Sequence, residues 1–263
     1  PRMARILAIA NQKGGVGKTT TAVNLAAALA ATPRRVLLVD LDPQGNATMA
    51  SGVDKRELEA SMCEVLLGES SAAAAIVPTQ EGYDLLPTNI DLTAAEIRLM
   101  DAPQREQRLK NALAEVRGRY DYVLVDCPPS LSLLTLNALA AADGVIVPMQ
   151  CEYFALEGLS ALLETIEALK QTLNPALEIA GIVRTMYDVR NNLASAVSNE
   201  LTQHFGDKVF RSIVPRNVRL AEAPSHGRSI IGYDRSSRGG IAYLGLAGEI
   251  VRGEKKLAKE GAR

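Results

Sequence analysis

The chain has no tryptophan, three phenylalanines, two histidines and three cysteines among 263 residues, and each scarcity removes a class of function. Cys63, Cys127 and Cys151 are odd in number and form no C-x-x-C pair, so neither a disulfide framework nor a zinc or iron–sulfur centre is signalled. His204 and His226 have no catalytic partner at a recognisable spacing, and His226 sits in Pro224-Ser225-His226-Gly227, which reads as a turn. Ser130 and Cys127 lie close together, but without a G-x-S-x-G elbow the neighbouring prolines read as a loop. No apolar run reaches the roughly 18 uncharged residues of a membrane span, and the N-terminus enters a strand instead of a signal peptide. Neither charge sign dominates, with 29 Lys and Arg against 30 Asp and Glu, and 47 % hydrophobic residues is ordinary for a globular protein. A cytoplasmic protein with a single domain over 1–263 is expected. Pro1 and Arg2 precede Met3 and read as additions ahead of a start residue.

The balance of charge hides an asymmetry. From Arg184 to Arg263 there are 14 Lys and Arg against 8 Asp and Glu, which leaves 15 against 22 in the remainder. A basic C-terminal third suggests an anionic partner, although charges close in sequence need not share a face.

Short apolar runs at Ile6 to Ala10, Val36 to Val39, Tyr122 to Val125, Val145 to Met149 and Ile179 to Val183 read as strands that are apolar on both faces. Such strands belong to a parallel sheet covered by helices, and 18–31, 131–142 and 153–173 have helical length and spacing. The pattern predicts a doubly wound α/β fold with a mostly parallel sheet and helices on both faces. The less regular stretch between the second strand and Tyr122, with a helix near 91–100, reads as an insertion.

Ile6 to Ala10 runs directly into Lys13-Gly14-Gly15-Val16-Gly17-Lys18-Thr19-Thr20, which opens a helix. Glycines there let successive backbone N–H groups converge on phosphate oxygens, the helix N-terminus adds its positive end, and Lys18 reaches the β- and γ-phosphates. Thr19 is placed to ligate magnesium, so an ATP and Mg2+ site is expected. The match to G-x-x-x-x-G-K-[ST] is imperfect, because Gln12 stands at the first glycine. Lys13 adds a second positive charge that could reach phosphates in its own or a facing subunit, or remain a solvated surface lysine. Two further strands end in acids: Asp40-Leu41-Asp42 after Val39, and Asp126-Cys127-Pro128-Pro129 after Val125. Any one acid could cap a turn, but three strand ends carrying phosphate, metal and acid chemistry converge on one sheet edge.

The loop, together with Asp40-Leu41-Asp42-Pro43-Gln44-Gly45-Asn46 and Asp126-Cys127-Pro128-Pro129-Ser130, resembles the ParA/Soj family of chromosome- and plasmid-partitioning ATPases, which carry a deviant Walker A loop. The stretches Glu152 to Gly158, Thr185 to Arg190 and Pro215 to Gly227 are similar at matching places, so the resemblance spans nearly the whole chain. It implies ATP-bound monomers that pair face to face around two nucleotides, bind DNA without sequence preference, and release it on hydrolysis accelerated by a ParB/Spo0J-type partner. A nucleoid-associated location follows.

By the same matching Lys13 contacts the ATP of the opposite subunit, Lys18 binds its own, and Asp42 positions the attacking water. Gly14, Gly15, Val16, Gly17, Thr19 and Thr20 complete the loop, while Asp40 and Asp126 support magnesium with Thr19. Pro215 and Asn217 fall in the adenine loop, Met186 lies near the base, and Glu152 contacts the ribose across the dimer. Arg190 and Arg219, then Arg216, Arg211 and Arg238, fall where the family presents its DNA surface, with Arg184, Arg228 and Arg235 nearby. Any one of these alone reads as a solvated surface charge. The loop begins too near the N-terminus for a DNA-reading extension, so operator binding is not expected.

The nearest alternative, a MinD-like membrane-associated positioning ATPase, calls for an amphipathic C-terminal helix. After Val251 the only sizeable apolar residue is Leu257, among Glu254, Lys255, Lys256, Lys259 and Glu260. A nitrogenase-iron-protein-like reductase would need paired cysteines, a bacterial tyrosine kinase a C-terminal tyrosine cluster, and a non-enzymatic DNA-binding protein would leave the loop and acids without a role.

Overall fold

Apolar residues on both faces force a strand into the middle of a sheet, and β1 (Arg5–Ile9), β2 (Val36–Asp40) and β5 (Tyr122–Asp126) take that place in the computed structural model, which describes residues 3–260. The readings of Pro1 and Arg2, and of the side chains from Lys255 onward, lie outside the described residues. The sheet has eight strands in the order β3-β4-β2-β5-β1-β6-β7-β8, completed by β3 (Val77–Pro78), β4 (Asp84–Leu86), β6 (Gly144–Gln150), β7 (Glu178–Tyr187) and β8 (Val209–Pro215). Every pairing is parallel except the antiparallel edge pair β3 and β4.

The connections are α1 (Lys18–Ala30), α2 (Asn46–Ala50), α3 (Met62–Leu67), α4 (Ala72–Ala75), α5 (Leu92–Leu99), α6 (Arg108–Ala114), α7 (Leu133–Ala141) and α8 (Ala155–Thr172). They continue with α9 (Asn192–Phe205), α10 (Val218–Glu222), α11 (Ile230–Asp234) and α12 (Arg238–Glu260). Strand alternation divides the core into two layers. Ile6, Ala8, Val123 and Val125 point into the layer formed with α3 and α5 to α9, while Leu7, Ile9, Tyr122 and Leu124 point into the layer formed with α1 and α12. The doubly wound architecture is the one the apolar runs predict.

The stretch read as an insertion is instead part of the sheet. β4 pairs with β2 through Leu37↔Asp84, Leu38↔Leu85 and Val39↔Leu86, extending the sheet beyond β2. Three residues are too few to establish a period of two, so the strand has no sequence signature of its own. β8 is hidden for a different reason. As an edge strand it keeps Arg211 exposed and Ser212 half-buried, which breaks the apolar run.

The order β2-β5-β1 places three chain turns side by side at one edge. Asp40 is the register partner of Asp126, Asp126 is the partner of Ile9, and the glycine-rich turn follows Ile9. Ligands bind at this carboxyl edge in open parallel sheets.

Leu124, fully buried at the centre of β5, makes the layer assignment testable. Leu124→Ala is expected to lower unfolding stability by about 2–5 kcal/mol, read from the urea midpoint at constant slope. An unchanged midpoint would place β5 outside the core.

Candidate nucleotide site

The turn from Asn11 to Gly17 is tied through carbonyls and through the Lys13 N–H, which donates to the Asn11 Oδ1 at 3.0 Å, while the N–H groups that follow are left open. Lys18 donates from Nζ to the Lys13 carbonyl at 2.8 Å, and the Thr21 N–H donates to the Gly17 carbonyl at 2.9 Å. Among the described residues, no acceptor takes the backbone N–H of Gly14, Gly15, Val16 or Gly17. Gly15 and Gly17 have φ of 72° and 87°, values that favour glycine and bend the chain into a concavity before α1 begins. A row of unpaired N–H groups leading into a helix N-terminus binds phosphate oxygens.

A cavity of about 710 Å3 opens over this turn, large enough for a mononucleotide. Gly14, Gly15, Gly17, Lys18, Thr19 and Thr20 line its floor, with Asp42 and Pro129 beside them. Met186, Pro215 and Asn217 line the same cavity, so the residues matched to the base share one cavity with the loop. Asn217 is also the cap of α10, where its Oδ1 accepts from the Leu220 N–H at 3.2 Å. Thr93, Thr185, Val214, Leu220, Ala221 and Tyr243 also line the cavity and were not singled out in the sequence. These come from α5, β7, β8, α10 and α12, and no local motif links them.

The two strand-end acids differ. Asp40 is spent on the protein: Oδ2 accepts from the Thr48 N–H at 2.8 Å and hydroxyl at 2.7 Å, and Oδ1 accepts from the Asp42 N–H at 3.2 Å. It therefore fastens α2 and the turn that carries Asp42 into the cavity. Asp126 is buried too, and its Oδ2 accepts from the Thr19 hydroxyl at 2.7 Å while Oδ1 has no hydrogen-bond partner.

Burial and the neighbouring Asp40 carboxylate push the Asp126 carboxyl well above its ordinary range, and burial likewise raises Asp40 against the bonds from Thr48. Lys18 is lowered by burial, with Asp126 the largest opposing influence. An unpartnered carboxylate oxygen beside a threonine hydroxyl suits a hard divalent cation. Among the described residues no group of three or more His, Cys, Asp or Glu gathers around a metal position.

Lys13 and Glu152 are not part of the cavity lining. They form an ion pair with each other, both half-exposed. Asp42 is partly tied as well, with Oδ1 accepting from the Gln44 N–H at 3.0 Å.

The arginines separate into three kinds that look alike in sequence. Arg184 is internal, donating to the Ser198 hydroxyl at 3.0 Å and the Phe210 carbonyl at 2.7 Å, and Arg228 pairs with the buried Glu81 at 2.6 Å. Arg190 and Arg219 are exposed but paired, the first with Asp188 at 2.9 Å, the second with Glu222 at 3.2 Å and Asp234 at 3.7 Å. Arg211, Arg216 and Arg238 are exposed with no ion-pair partner among the described residues. Arg190, Arg216, Arg219 and Arg238 gather at one corner. There the Tyr187 carbonyl accepts from the Arg216 N–H at 3.4 Å, and the start of α12 packs on Leu220 of α10. Arg211 stands apart, five residues down β8.

The raised Asp126 carboxyl carries a stability consequence. An acid whose folded pKa lies above its unfolded value of about 3.9 weakens the fold as pH rises from the unfolded pKa through the folded one. Asp126→Asn is therefore expected to melt at a higher temperature than the wild type in magnesium-free buffer near pH ~7.5, with the gap closing toward pH ~4. A lower melting temperature at every pH would contradict the assignment of an unpaired buried charge.

Residues 4–179 match the model of a family described as an AAA domain. The chain is 52 % identical over 261 residues to the chromosome partitioning protein ParA of Caulobacter vibrioides, covering 98 % of each. It is 52 % identical over 250 residues to the sporulation initiation inhibitor protein Soj of Bacillus subtilis, covering 95 % of this chain and 99 % of the other. A Mycobacterium smegmatis structure described as cobyrinic acid a,c-diamide synthase with bound ADP and magnesium superposes with a TM-score of 0.85 at 45 % identity, covering 96 % of each chain. Full-length identity of this size, on a fold with an open phosphate loop between two acid-ended strands, makes the chain a member of the ParA/Soj family of chromosome-partitioning ATPases.

Proposed function

We propose that the chain is a nucleotide-gated DNA-partitioning switch: with ATP and Mg2+ two copies close face to face, the closed pair holds DNA without sequence preference, and hydrolysis releases it. The supporting observation is that Lys13, although it begins the phosphate loop, does not line the cavity, together with exposed apolar side chains that lie close in sequence to residues of the cavity and of the Lys13–Glu152 pair. Tyr153 and Phe154 follow Glu152 and are 75 % and 66 % exposed. Leu131 lies two residues after the cavity residue Pro129, and Ile97 of α5 and Met100 just after it fall at helical spacing from the cavity residue Thr93. Exposed apolar groups concentrated around a site mark an interaction surface. A second copy docked there would bring its own Lys13 toward the first copy's phosphates.

Within each copy, Lys18 and the N–H row hold the β- and γ-phosphates, Asp42 orients the attacking water, and Thr19 with Asp126 holds the ion. Bound magnesium neutralises phosphate charge as it develops. Phosphoryl transfer depends on positioning and charge neutralisation, so a lysine that arrives only on pairing couples hydrolysis to dimer formation. Turnover by the isolated chain is therefore slow, and a ParB/Spo0J-type partner accelerates it.

The corner formed by Arg190, Arg216, Arg219 and Arg238 would take the DNA. Arg216 and Arg238 offer uncommitted charge, and the exposed pairs of Arg190 and Arg219 are weak enough for phosphates to displace. Arg211 contributes less from its place along β8. Pairing two corners adds avidity, and affinity falls steeply with salt.

Among the described residues no helix is long and apolar enough to cross a membrane. The amide-forming activity named for the Mycobacterium smegmatis relative would need a reactive thiolate if its ammonia came from glutamine. Here Cys63, Cys127 and Cys151 are all buried, and burial pushes each thiol up.

DNA co-sedimentation with ATP, ADP or no nucleotide tests the reading. Wild-type chain is expected to sediment with DNA only in ATP. Lys18→Ala should not bind ATP or DNA, Asp42→Ala should remain on DNA with little hydrolysis, and Arg219→Glu should dimerise but lose DNA retention at moderate salt. Nucleotide-independent DNA binding, or wild-type turnover in Asp42→Ala, would contradict it.

A further inference from the structure

Thr185 belongs to none of the phosphate- or metal-binding motifs, yet it touches the phosphate loop from a strand 169 residues away in sequence. It lies near the end of β7, opposite Gln150 of β6, with only 2 % of its surface exposed. Its hydroxyl donates to the Val16 carbonyl at 2.7 Å. Its Cβ and γ-methyl each stand 3.7 Å from where a side chain on Gly17 would begin, so the methyl packs along the loop while the hydroxyl holds it.

The structure assigns to Thr185 the role of a positioning residue for the nucleotide: by holding the Val16 carbonyl, it presents the Gly17 N–H to a phosphate oxygen. A trans peptide is planar, with its C=O and N–H pointing in opposite directions. Fixing the Val16 carbonyl against β7 therefore turns the Gly17 N–H away from β7. Gly17 lines the cavity and its N–H has no acceptor among the described residues. Gly17 also has the left-handed backbone, φ 87°, of a residue with little steric resistance to reorientation, so an outside tie is needed to fix that peptide before phosphate arrives. Preorganised donors bind without the cost of ordering them at the moment of binding.

The anchor is itself held firmly. Met186, the next residue, has φ 47°, a strained conformation for a non-glycine side chain, and the β7–β8 register shifts between Arg184 and Tyr187. Strain of this kind persists only where the surroundings over-determine it. Here the surroundings are the Thr185 bond on one side and, on the other, Tyr187, which pairs with Pro215 of the cavity. The irregular end of β7 thus lines the cavity with both Thr185 and Met186, next to Pro215 of β8.

The assignment rests on the reading of the cavity as a nucleotide site, and its test separates the two. Binding of a fluorescent ADP with Mg2+ is measured on the full chain for wild type, Thr185→Val and Thr185→Ser, alongside melting without nucleotide. Valine keeps the shape and methyl contact but removes the donor. Serine keeps the donor and removes the methyl.

Thr185→Val is expected to bind roughly tenfold more weakly, equal to about 1.4 kcal/mol. Thr185→Ser should stay within about twofold of wild type although it melts lower, since it loses the packed methyl. Should the valine variant fail to fold, the serine variant decides alone, because a purely structural role predicts weakened binding in step with its lower melting temperature. Wild-type affinity in Thr185→Val, or weak binding by Thr185→Ser, overturns the assignment while leaving the nucleotide site intact. No binding by the wild-type chain overturns both.

Discussion

A backbone that binds phosphate must keep its N–H groups unpaired, and unpaired groups hold their directions only if the carbonyls on the same peptides are held. Gly14 and Gly17, at the two ends of the open row, meet this constraint, and the loop is tied from three directions. Lys18 takes the Lys13 carbonyl, the first turn of α1 takes that of Gly17, and Thr185 takes that of Val16. The sheet order follows from the same need. With β1 between β5 and β6, and β7 next to β6, the loop rises among strand ends that supply acids on one side and a hydroxyl on the other. Burial on both faces keeps those ends rigid, so the open N–H row is a property of the whole sheet edge and not of seven flexible residues.

The electrostatics of the edge are arranged for a charge that the protein does not itself supply. Two carboxylates end neighbouring strands, Asp40 satisfied by Thr48 and Asp126 left with one oxygen unpaired. Burial disfavours ionisation at both, opposed at Asp40 by the bonds from Thr48 and Asp42 and at Asp126 by the Thr19 bond and then Lys18. In the proposed function a magnesium nucleotide would complete the set, with Thr19 and Asp126 to hold the cation and Lys18 and the loop to hold the phosphates.

Local chemistry made the loop and both acids legible in the sequence, because each follows directly on an apolar strand and needs only a few contiguous residues. The helices at 18–31, 131–142 and 153–173 were legible for the same reason and fall within two residues of α1, α7 and α8. What could not be read depends on long-range placement. β4 is three residues long, and its pairing with β2 is visible only in the sheet. Thr185 is one hydroxyl in an apolar strand, and nothing in its neighbours indicates Val16. Arg184, Arg190 and Arg216 carry the same charge in the same third of the chain, yet one is an internal tie, one is paired and one has no ion-pair partner among the described residues, because burial and neighbouring acids decide their roles. Lys13 and Glu152 were each matched to another subunit's nucleotide, and in a single copy they pair with each other.

That pairing bears on the central claim, that Lys13 serves the nucleotide of a second copy. ATP turnover by a mixture of Lys13→Ala and Asp42→Ala chains tests it most directly. If Lys13 acts across the dimer, the mixed pair contains one intact site, made of Asp42 from the first variant and Lys13 from the second, and the mixture hydrolyses ATP although neither variant does so alone. If Lys13 acts within its own copy, the mixed pair has no intact site. Turnover no greater than the sum of the two variants, in a mixture shown to form mixed dimers, would contradict the shared site.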